Sequence, residues 1–181
     1  MSKRIQYNIH PSADWGPAQW YNSEEYKVSY KRNYKAASSS IVAMLGEHTT
    51  SFVPEYDKRF SVVRGPYSRA FSIYCEMVRM KKEMPGYFYD FLMKVKAFGF
   101  YDKHQFPQCF WLEDEDIDKI DFFWLSDLRA CLEWFADDHK DTLIPILNKT
   151  HYDKELSTRE ENMISDIWQA DFKFLASIDT H

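Results

Sequence analysis

The sequence has few cysteines, no excess of positive charge and no long apolar run. Three cysteines, with neither a CxxC pair nor a His/Cys metal spacing, argue against a disulfide framework or a zinc module and indicate buried free thiols. A net charge of −5 disfavours a general nucleic-acid binder. No stretch approaches the ~20 apolar residues of a membrane span. We therefore expect a soluble, cytoplasmic protein without a signal peptide, an anchor, a membrane partner or a nucleic-acid partner.

Large side chains are abundant instead. Aromatic residues make up 18% and hydrophobic residues 45% of the 181 positions, enough for one sizeable core. We predict a single domain over residues 1–181, with 1–26 as an irregular arm and 27–176 as the core. Some aromatic residues would be left to stack on a ligand such as a sugar ring, and the candidates are Trp15, Trp20 and Trp111.

Strands alternate with helices along the predicted core. Apolar periodicity predicts strands over 27–33, 59–64 and 120–125, and helices over 38–46, from Pro66 onward and over 87–98. Ser126 is the predicted cap of the next helix. Ser157 and Glu160 form a capping box that begins a terminal helix, whose apolar stripe runs to Leu175. This order favours an α/β layered domain with a mostly parallel central sheet flanked by helices.

The turn after the first of these strands carries chemistry suited to an anion. It contains one lysine, two small residues and three hydroxyls, namely Lys35, Ala36, Ala37, Ser38, Ser39 and Ser40. N–H groups at the start of a helix, a mobile positive charge and serine donors suit a phosphate or a sulfate. A serine-rich turn that merely caps the helix is the alternative. The Walker pattern GxxxxGK(S/T) is absent from the sequence, so an ordinary ATP or GTP P-loop is not indicated.

A second segment adds an arginine at a strand end. Arg64 closes the predicted strand 59–64, and Ser72 lies two turns into the helix that follows. The guanidinium fork matches phosphate geometry. Taken alone, Arg64 is equally compatible with a strand-end salt bridge, and Ser72 with a small buried residue.

Together the two segments resemble the sulfotransferase superfamily, and within it the carbohydrate (chondroitin and heparan type) group. That family's first loop follows Pro-Lys-x-Gly-x-Ser/Thr-Ser/Thr, matched here from Lys35 to Ser40. Its second segment follows Val-Arg-Asp/Asn-Pro-Tyr/Phe-x-Arg-x-x-Ser-x-Tyr/Phe, and the matching positions are Val63, Arg64, Pro66, Tyr67, Arg69, Ser72 and Tyr74. Residues 102–108 resemble the family's Asp-x-His-x-x-Pro-Gln segment, and the likeness spans about residues 27–176. Tyr34, Ala37 and Gly65 depart from the family pattern.

The resemblance implies a P-loop-like three-layer fold and a specific reaction. A sulfuryl group would pass from 3′-phosphoadenosine 5′-phosphosulfate (PAPS) to an acceptor hydroxyl, on a carbohydrate by family likeness, leaving 3′,5′-adenosine bisphosphate. Lys35 would stabilise the leaving phosphate, and the loop from Ala36 to Ser40 would hold the 5′-phosphate. Arg64 and Ser72 would hold the 3′-phosphate, and the residues closing over the nucleotide would be Asn148, Lys149 and Thr150. This transfer needs no metal.

The acceptor hydroxyl needs a general base, and two histidines are candidates. His104 is the first, because imidazole titrates near neutral pH and the residue lies in the family-like segment. A structural histidine that hydrogen-bonds a loop is the alternative. His48 is the second candidate, against an exposed loop histidine, and Glu47 is a weaker one. The acidic run 113–116 is interpreted as a surface loop rather than a metal site.

Two other functions stay open at this point. One is a non-catalytic binding module on a sulfotransferase fold, because Tyr34 and Ala37 alter the cofactor loop. The other is a small nucleotide-dependent kinase, against which the missing Walker pattern counts. The acceptor and the oligomeric state are not predicted.

Overall fold

The computed structural model describes residues 19–80, 87–112, 117–136 and 155–178, together with the backbone of 9–14. These parts form an α/β structure. Its strands are β1 (Ile9–Asp14), β2 (Trp20–Ser23), β3 (Val28–Lys31), β4 (His48–Ser51), β5 (Arg59–Val63), β6 (Phe100–Asp102) and β7 (Ile120–Trp124). Its α-helices are α1 (Ser38–Met44), α2 (Pro66–Arg79), α3 (Phe88–Phe98), α4 (Gln108–Leu112), α5 (Leu128–Phe135), α6 (Thr158–Ile167) and α7 (Gln169–Leu175).

The chain separates into two compact units. The sheet unit contains the described residues of 19–64, 108–112 and 117–136, with residue 178. The helical unit contains those of 9–14, 65–80, 87–107 and 155–177. The chain leaves the sheet unit after Arg64 and returns to it at Gln108.

A mixed five-stranded sheet forms the sheet unit, with strand order β4-β2-β3-β5-β7. Strand β5 is parallel to both β3 and β7, whereas β2 is antiparallel to both β3 and β4. The sheet is therefore mixed, and the prediction of a mostly parallel sheet is not met. The reason is local: a tight turn over residues 24–27 joins β2 to β3, and strands joined by a tight turn must run antiparallel.

The core of the sheet unit packs helices α1 and α5 against its strands. Buried aliphatic and aromatic residues from these elements form one cluster, which includes Val28, Tyr30, Ile41, Leu45, Phe60, Val62, Phe123, Leu132 and Phe135. Helix α1 ends where sequence predicted a stop, because Gly46 adopts φ +64° just beyond the cap residue Leu45. The positive φ favours glycine at this position, because residues with a β-carbon rarely adopt it.

Four helices and a short parallel strand pair form the helical unit. Strand β1 pairs with β6, and α6 packs against both α2 and α3. The buried residues of this unit include Ala70, Ile73, Met77, Phe91, Leu92, Val95, Phe106, Ile164 and Trp168. A buried ion pair joins Arg69 on α2 to Asp171 on α7, with the two charged groups 3.5 Å apart.

Three further helix ends test the predictions, of which one is confirmed and two are wrong. The capping box of Ser157 and Glu160 at the start of α6 is confirmed. Asp127, not Ser126, caps α5, because its carboxylate accepts the Ala130 N–H at 3.1 Å. The terminal helix breaks at Trp168, whose indole N–H donates to the Gln105 carbonyl at 2.8 Å.

The predicted irregular arm over 1–26 is also wrong, since β1 and β2 lie within it. Trp20 and Trp111 are 2% and 1% exposed, so neither ring faces a ligand in this structure. Trp15 lies outside the described residues.

All three cysteines are described and are free thiols, two of them buried. Among the described residues, no helix combines the length and the apolar character needed to cross a membrane.

Candidate functional site

The Lys35 loop connects β3 to α1 and has an unusual backbone. Lys35 and Ala37 adopt φ values of 67° and 56°, in the left-handed region that residues with a β-carbon rarely occupy. Alternating left-handed residues turn successive N–H groups towards one side and create an anion-binding concavity. Each such residue costs roughly 1 kcal/mol, and this cost is typical of functional loops. The cap residue of the seven-residue helix α1 is Ala37, and no described side chain hydrogen-bonds as a cap, so the serines are not cap residues.

The loop residues differ in how far solvent reaches them. Lys35 and Ser38 are half-buried and Ser39 is exposed. Ser40 is only 3% exposed, and Ala36 is fully buried. The hydroxyls available to a ligand are therefore those of Ser38 and Ser39.

The structure shows the contacts of two residues that depart from the family pattern. The buried Tyr34, where the family has proline, packs its ring 4.9 Å from that of Trp111 and lies under the Arg32 guanidinium. Tyr34 is thus part of the sheet-unit core. Gly65, where the family has an acidic or amide residue, has an ordinary φ of −55°, and a β-carbon would lie 3.9 Å from the Ser68 hydroxyl. The backbone does not require glycine at this position.

Arg64 is held by an amide network that begins where β5 ends. The Gln108 carbonyl oxygen accepts the Arg64 N–H at 2.9 Å, and its amide nitrogen donates to the Arg64 carbonyl at 2.7 Å. Asn33 donates both to Gln108, at 2.9 Å, and to the Val62 carbonyl, at 2.8 Å. Asn33 and Gln108 are fully buried, so their bonds are shielded from water. The two amides continue the hydrogen bonding of the strand and fix the backbone of Arg64.

This network brings the two segments that were predicted to bind an anion together within the sheet unit. The Arg64 guanidinium donates through Nη1 to the Lys35 carbonyl oxygen at 3.3 Å. Strands β3 and β5 are parallel, so their carboxyl ends lie at the same edge of the sheet, and the loops that follow them are neighbours. The structure therefore places Lys35 and Arg64 side by side.

Ser72 belongs to the helical unit, where it lies in α2 and is only 3% exposed. This burial matches the small buried residue that the sequence left as its alternative. Its assignment to the 3′-phosphate stays a prediction. Asn148, Lys149 and Thr150 lie outside the described residues, as does the acidic run 113–116.

His104 lies in the turn after β6, in the helical unit. Its ring Nδ1 lies 2.6 Å from Asp102 Oδ1, and its backbone N–H donates to the same oxygen at 2.9 Å. The side chains of His104 and Asp102 are 17% and 7% exposed. A carboxylate on Nδ1 is the arrangement that orients a catalytic imidazole, and it also fits a histidine that stabilises a turn.

His48 lies on the edge strand β4 rather than in a loop, although it is exposed as its alternative interpretation states. Its Nδ1 is 3.1 Å from the Gly46 carbonyl, and its ring lies 5.2 Å from that of Tyr21. It lines an open cleft of about 510 Å³ in the sheet unit. The other residues of the cleft are Asn22, Glu24, Gly46, Glu47, Thr49, Glu55 and Tyr56.

Three residues of these sites were not predicted as functional. Asn33 and Gln108 hold Arg64, and Asp102 holds His104. Two of them were within the family-like segment 102–108, so the segment gave a signal, but its role as a scaffold follows only from the contacts. Within the described residues, no group of three or more His, Cys, Asp and Glu side chains is placed to hold a metal ion.

Comparison of the chain with protein-family models, with curated proteins and with solved structures gave no match.

Proposed function

We propose that the protein is a sulfotransferase that binds PAPS and transfers its sulfuryl group to a hydroxyl, with a carbohydrate as the acceptor class. The observation that carries this proposal is the contact between Arg64 and the Lys35 loop, 3.3 Å from guanidinium to carbonyl. Two segments that resemble the two cofactor motifs of one family, and that are 29 residues apart in sequence, are neighbours in the sheet unit.

The chemistry of the loop fits a phosphate-bearing ligand. Its lysine, its two accessible serines and its left-handed residues offer positive charge, hydroxyl donors and N–H groups on one short stretch. Arg64 is half-buried, its backbone is fixed by Gln108, and its guanidinium is held at the Lys35 carbonyl. A pre-positioned fork loses little conformational freedom when it binds a second phosphate.

When bound, PAPS supplies the sulfuryl group and leaves as the bisphosphate with the electron pair of the broken S–O bond. Lys35 would neutralise charge that develops on the leaving phosphate oxygen. Ser38 and Ser39 would hold the 5′-phosphate, and Arg64 the 3′-phosphate. A histidine, His104 or His48, would take the proton of the acceptor hydroxyl as the new S–O bond forms.

Cytoplasmic location is part of the proposal. The three free thiols support it, because cysteines in oxidising compartments are generally paired.

Ligand binding tests the cofactor assignment directly. Titration with 3′,5′-adenosine bisphosphate should raise the midpoint of thermal unfolding, because a ligand at 100 times its Kd adds about 2.7 kcal/mol to the free energy of unfolding. Mg²⁺-ATP should stabilise the protein far less. Preferential stabilisation by Mg²⁺-ATP would favour the kinase alternative and overturn the proposal.

Transfer is tested with the Lys35→Ala variant. Turnover of radiolabelled PAPS with a panel of saccharides should fall at least about 100-fold, because the charge on the leaving group loses its partner. Lys94→Ala, at an exposed position on α3, is the matched control and should retain activity. Bisphosphate binding without transfer by the wild-type protein to any acceptor would indicate the non-catalytic binding module.

The role of Arg64 is tested by the Arg64→Lys variant, which keeps the charge and removes the fork. Its preference for 3′,5′-adenosine bisphosphate over 5′-AMP should fall roughly 10- to 100-fold, the value of one strong charged hydrogen bond. An equal loss of affinity for both ligands would show that Arg64 supports the loop instead of contacting the 3′-phosphate.

A further inference from the structure

We propose that Asp102 is a positioning residue that keeps the proton of neutral His104 on Nδ1, so that Nε2 serves as the proton acceptor. The tautomer of His104 is an inference from geometry alone. Its use as the general base of sulfuryl transfer rests on the proposed function.

The donor and acceptor pattern at Asp102 decides the tautomer. Asp102 Oδ1 lies 2.6 Å from the ring Nδ1 and accepts the His104 backbone N–H at 2.9 Å. An ionised carboxylate can only accept hydrogen bonds, so the ring nitrogen that faces it must carry the hydrogen. In a neutral imidazole the other nitrogen then has a lone pair, and Nε2 is the basic atom.

The turn that carries His104 is held from several sides. The Gln105 side-chain oxygen accepts the backbone N–H groups of Tyr101 and Asp102, at 2.9 and 3.3 Å. The Gln105 carbonyl accepts the Trp168 indole N–H at 2.8 Å. These bonds fix the backbone on which Asp102 and His104 stand, and a site with such support keeps its geometry without reorganisation.

Arg69, which matches the family pattern, does not face solvent. Its side chain is 1% exposed, and its guanidinium pairs with Asp171 and donates to the Phe106 carbonyl at 2.6 Å and the His104 carbonyl at 3.5 Å. The buried ion pair thus ties α2 and α7 to the loop that carries His104. Because the Arg69 guanidinium donates to two carbonyls of one turn, the buried ion pair restrains the position of this turn.

Nitrogen NMR decides the tautomer in the wild-type protein. A long-range ¹H–¹⁵N spectrum of the ¹⁵N-labelled protein above neutral pH should show a protonated Nδ1 and a bare Nε2 for His104. The His104→Asn variant assigns the signals by their loss. In Asp102→Asn the Nε2–H tautomer, the usual form in water, should gain population. A wild-type His104 with its hydrogen on Nε2 would overturn the proposal.

Kinetics separate a positioning role from support of the turn. Asp102→Asn keeps an oxygen that can accept the His104 backbone N–H, so the turn should form, whereas the charge that orients the ring is lost. With 4-nitrophenyl β-glucoside as the acceptor probe, kcat should fall roughly 100-fold in Asp102→Asn and in His104→Asn, within the range of general-base catalysis. The double variant should lose no more than either single one, because the two residues act as a unit.

The controls keep the two proposals distinguishable. Asp118→Asn, at an exposed position outside this unit, should leave kcat unchanged. Wild-type kcat in both Asp102→Asn and His104→Asn, with transfer still dependent on Lys35, would overturn the Asp102 proposal and leave the sulfotransferase intact. Absence of transfer by the wild-type protein would refute the proposed function, and the NMR result alone would then decide the tautomer.

Discussion

Replacing Gln108 by alanine removes an amide that makes three hydrogen bonds in the sheet unit. Two of them join its side chain to the N–H and carbonyl of Arg64, and the third accepts from Asn33, at 2.7 to 2.9 Å. A hydrogen bond contributes about 0.5–1.5 kcal/mol net, and a buried polar group left with fewer partners costs more. We therefore expect Gln108→Ala to lower the free energy of unfolding by roughly 2–4 kcal/mol.

Urea unfolding followed by tryptophan fluorescence measures this loss, with linear extrapolation to water. The signal suits the question, since the sheet unit holds four of the five described tryptophans, namely Trp20, Trp111, Trp124 and Trp134. Gln169→Ala is the matched control. Gln169 is exposed and accepts from Lys173 at 3.1 Å, so its loss should stay within about 0.5 kcal/mol.

A second variant isolates the donor half of the amide. Gln108→Glu has nearly the same shape but offers an oxygen to the Arg64 carbonyl, where the native amide nitrogen donates at 2.7 Å. Because two acceptors then face each other in a buried place, the variant should be at least as unstable as Gln108→Ala. If both variants unfold within about 0.5 kcal/mol of the wild-type protein, the network does not hold Arg64, and the main support for the proposed site is lost.

Two further predictions concern the backbone of the loop and a buried phenol. Ala37→Gly relieves a left-handed alanine, so it should be more stable than Ala36→Gly by roughly 1 kcal/mol in urea unfolding; equal stabilities would show that Ala37 is not left-handed. Burial raises the pKa of Tyr30 above its ordinary value of 10.0, because the core cannot solvate a phenolate. The native state therefore keeps a proton that the unfolded chain releases, and stability should fall as pH rises above about 10. Tyr30→Phe should reduce this fall between about pH 8 and pH 11, and an unchanged slope would contradict the argument.

Local patterns predicted much of the fold. The capping box at Ser157 is confirmed because its two hydrogen bonds join residues three positions apart. Strand β5 followed by Pro66 at the first turn of α2 is also as predicted, since proline is pre-organised for that position. These features depend on neighbours in sequence, which a single sequence displays.

Pairings between distant segments were not predictable in this way. Strand β1 pairs with β6, about 90 residues later, and β2 pairs with β4, so the apparent arm of 1–26 becomes part of two sheets. The break at Trp168 has a similar origin, because the indole N–H bonds to Gln105, 63 residues away. An apolar stripe that runs through the break gives no sign of it.

The candidate site was also predictable in its local features and not in its long-range contacts. Residue types and spacing by themselves predicted that Lys35, the serines and Arg64 form a set that binds an anion, because that chemistry belongs to the side chains. Only the tertiary structure decided that Arg64 reaches the Lys35 carbonyl, that Asn33 and Gln108 fix it, and that Asp102 holds His104. The physical reason is that the strength and direction of a hydrogen bond depend on distance, angle and burial, which arise when separate segments pack together.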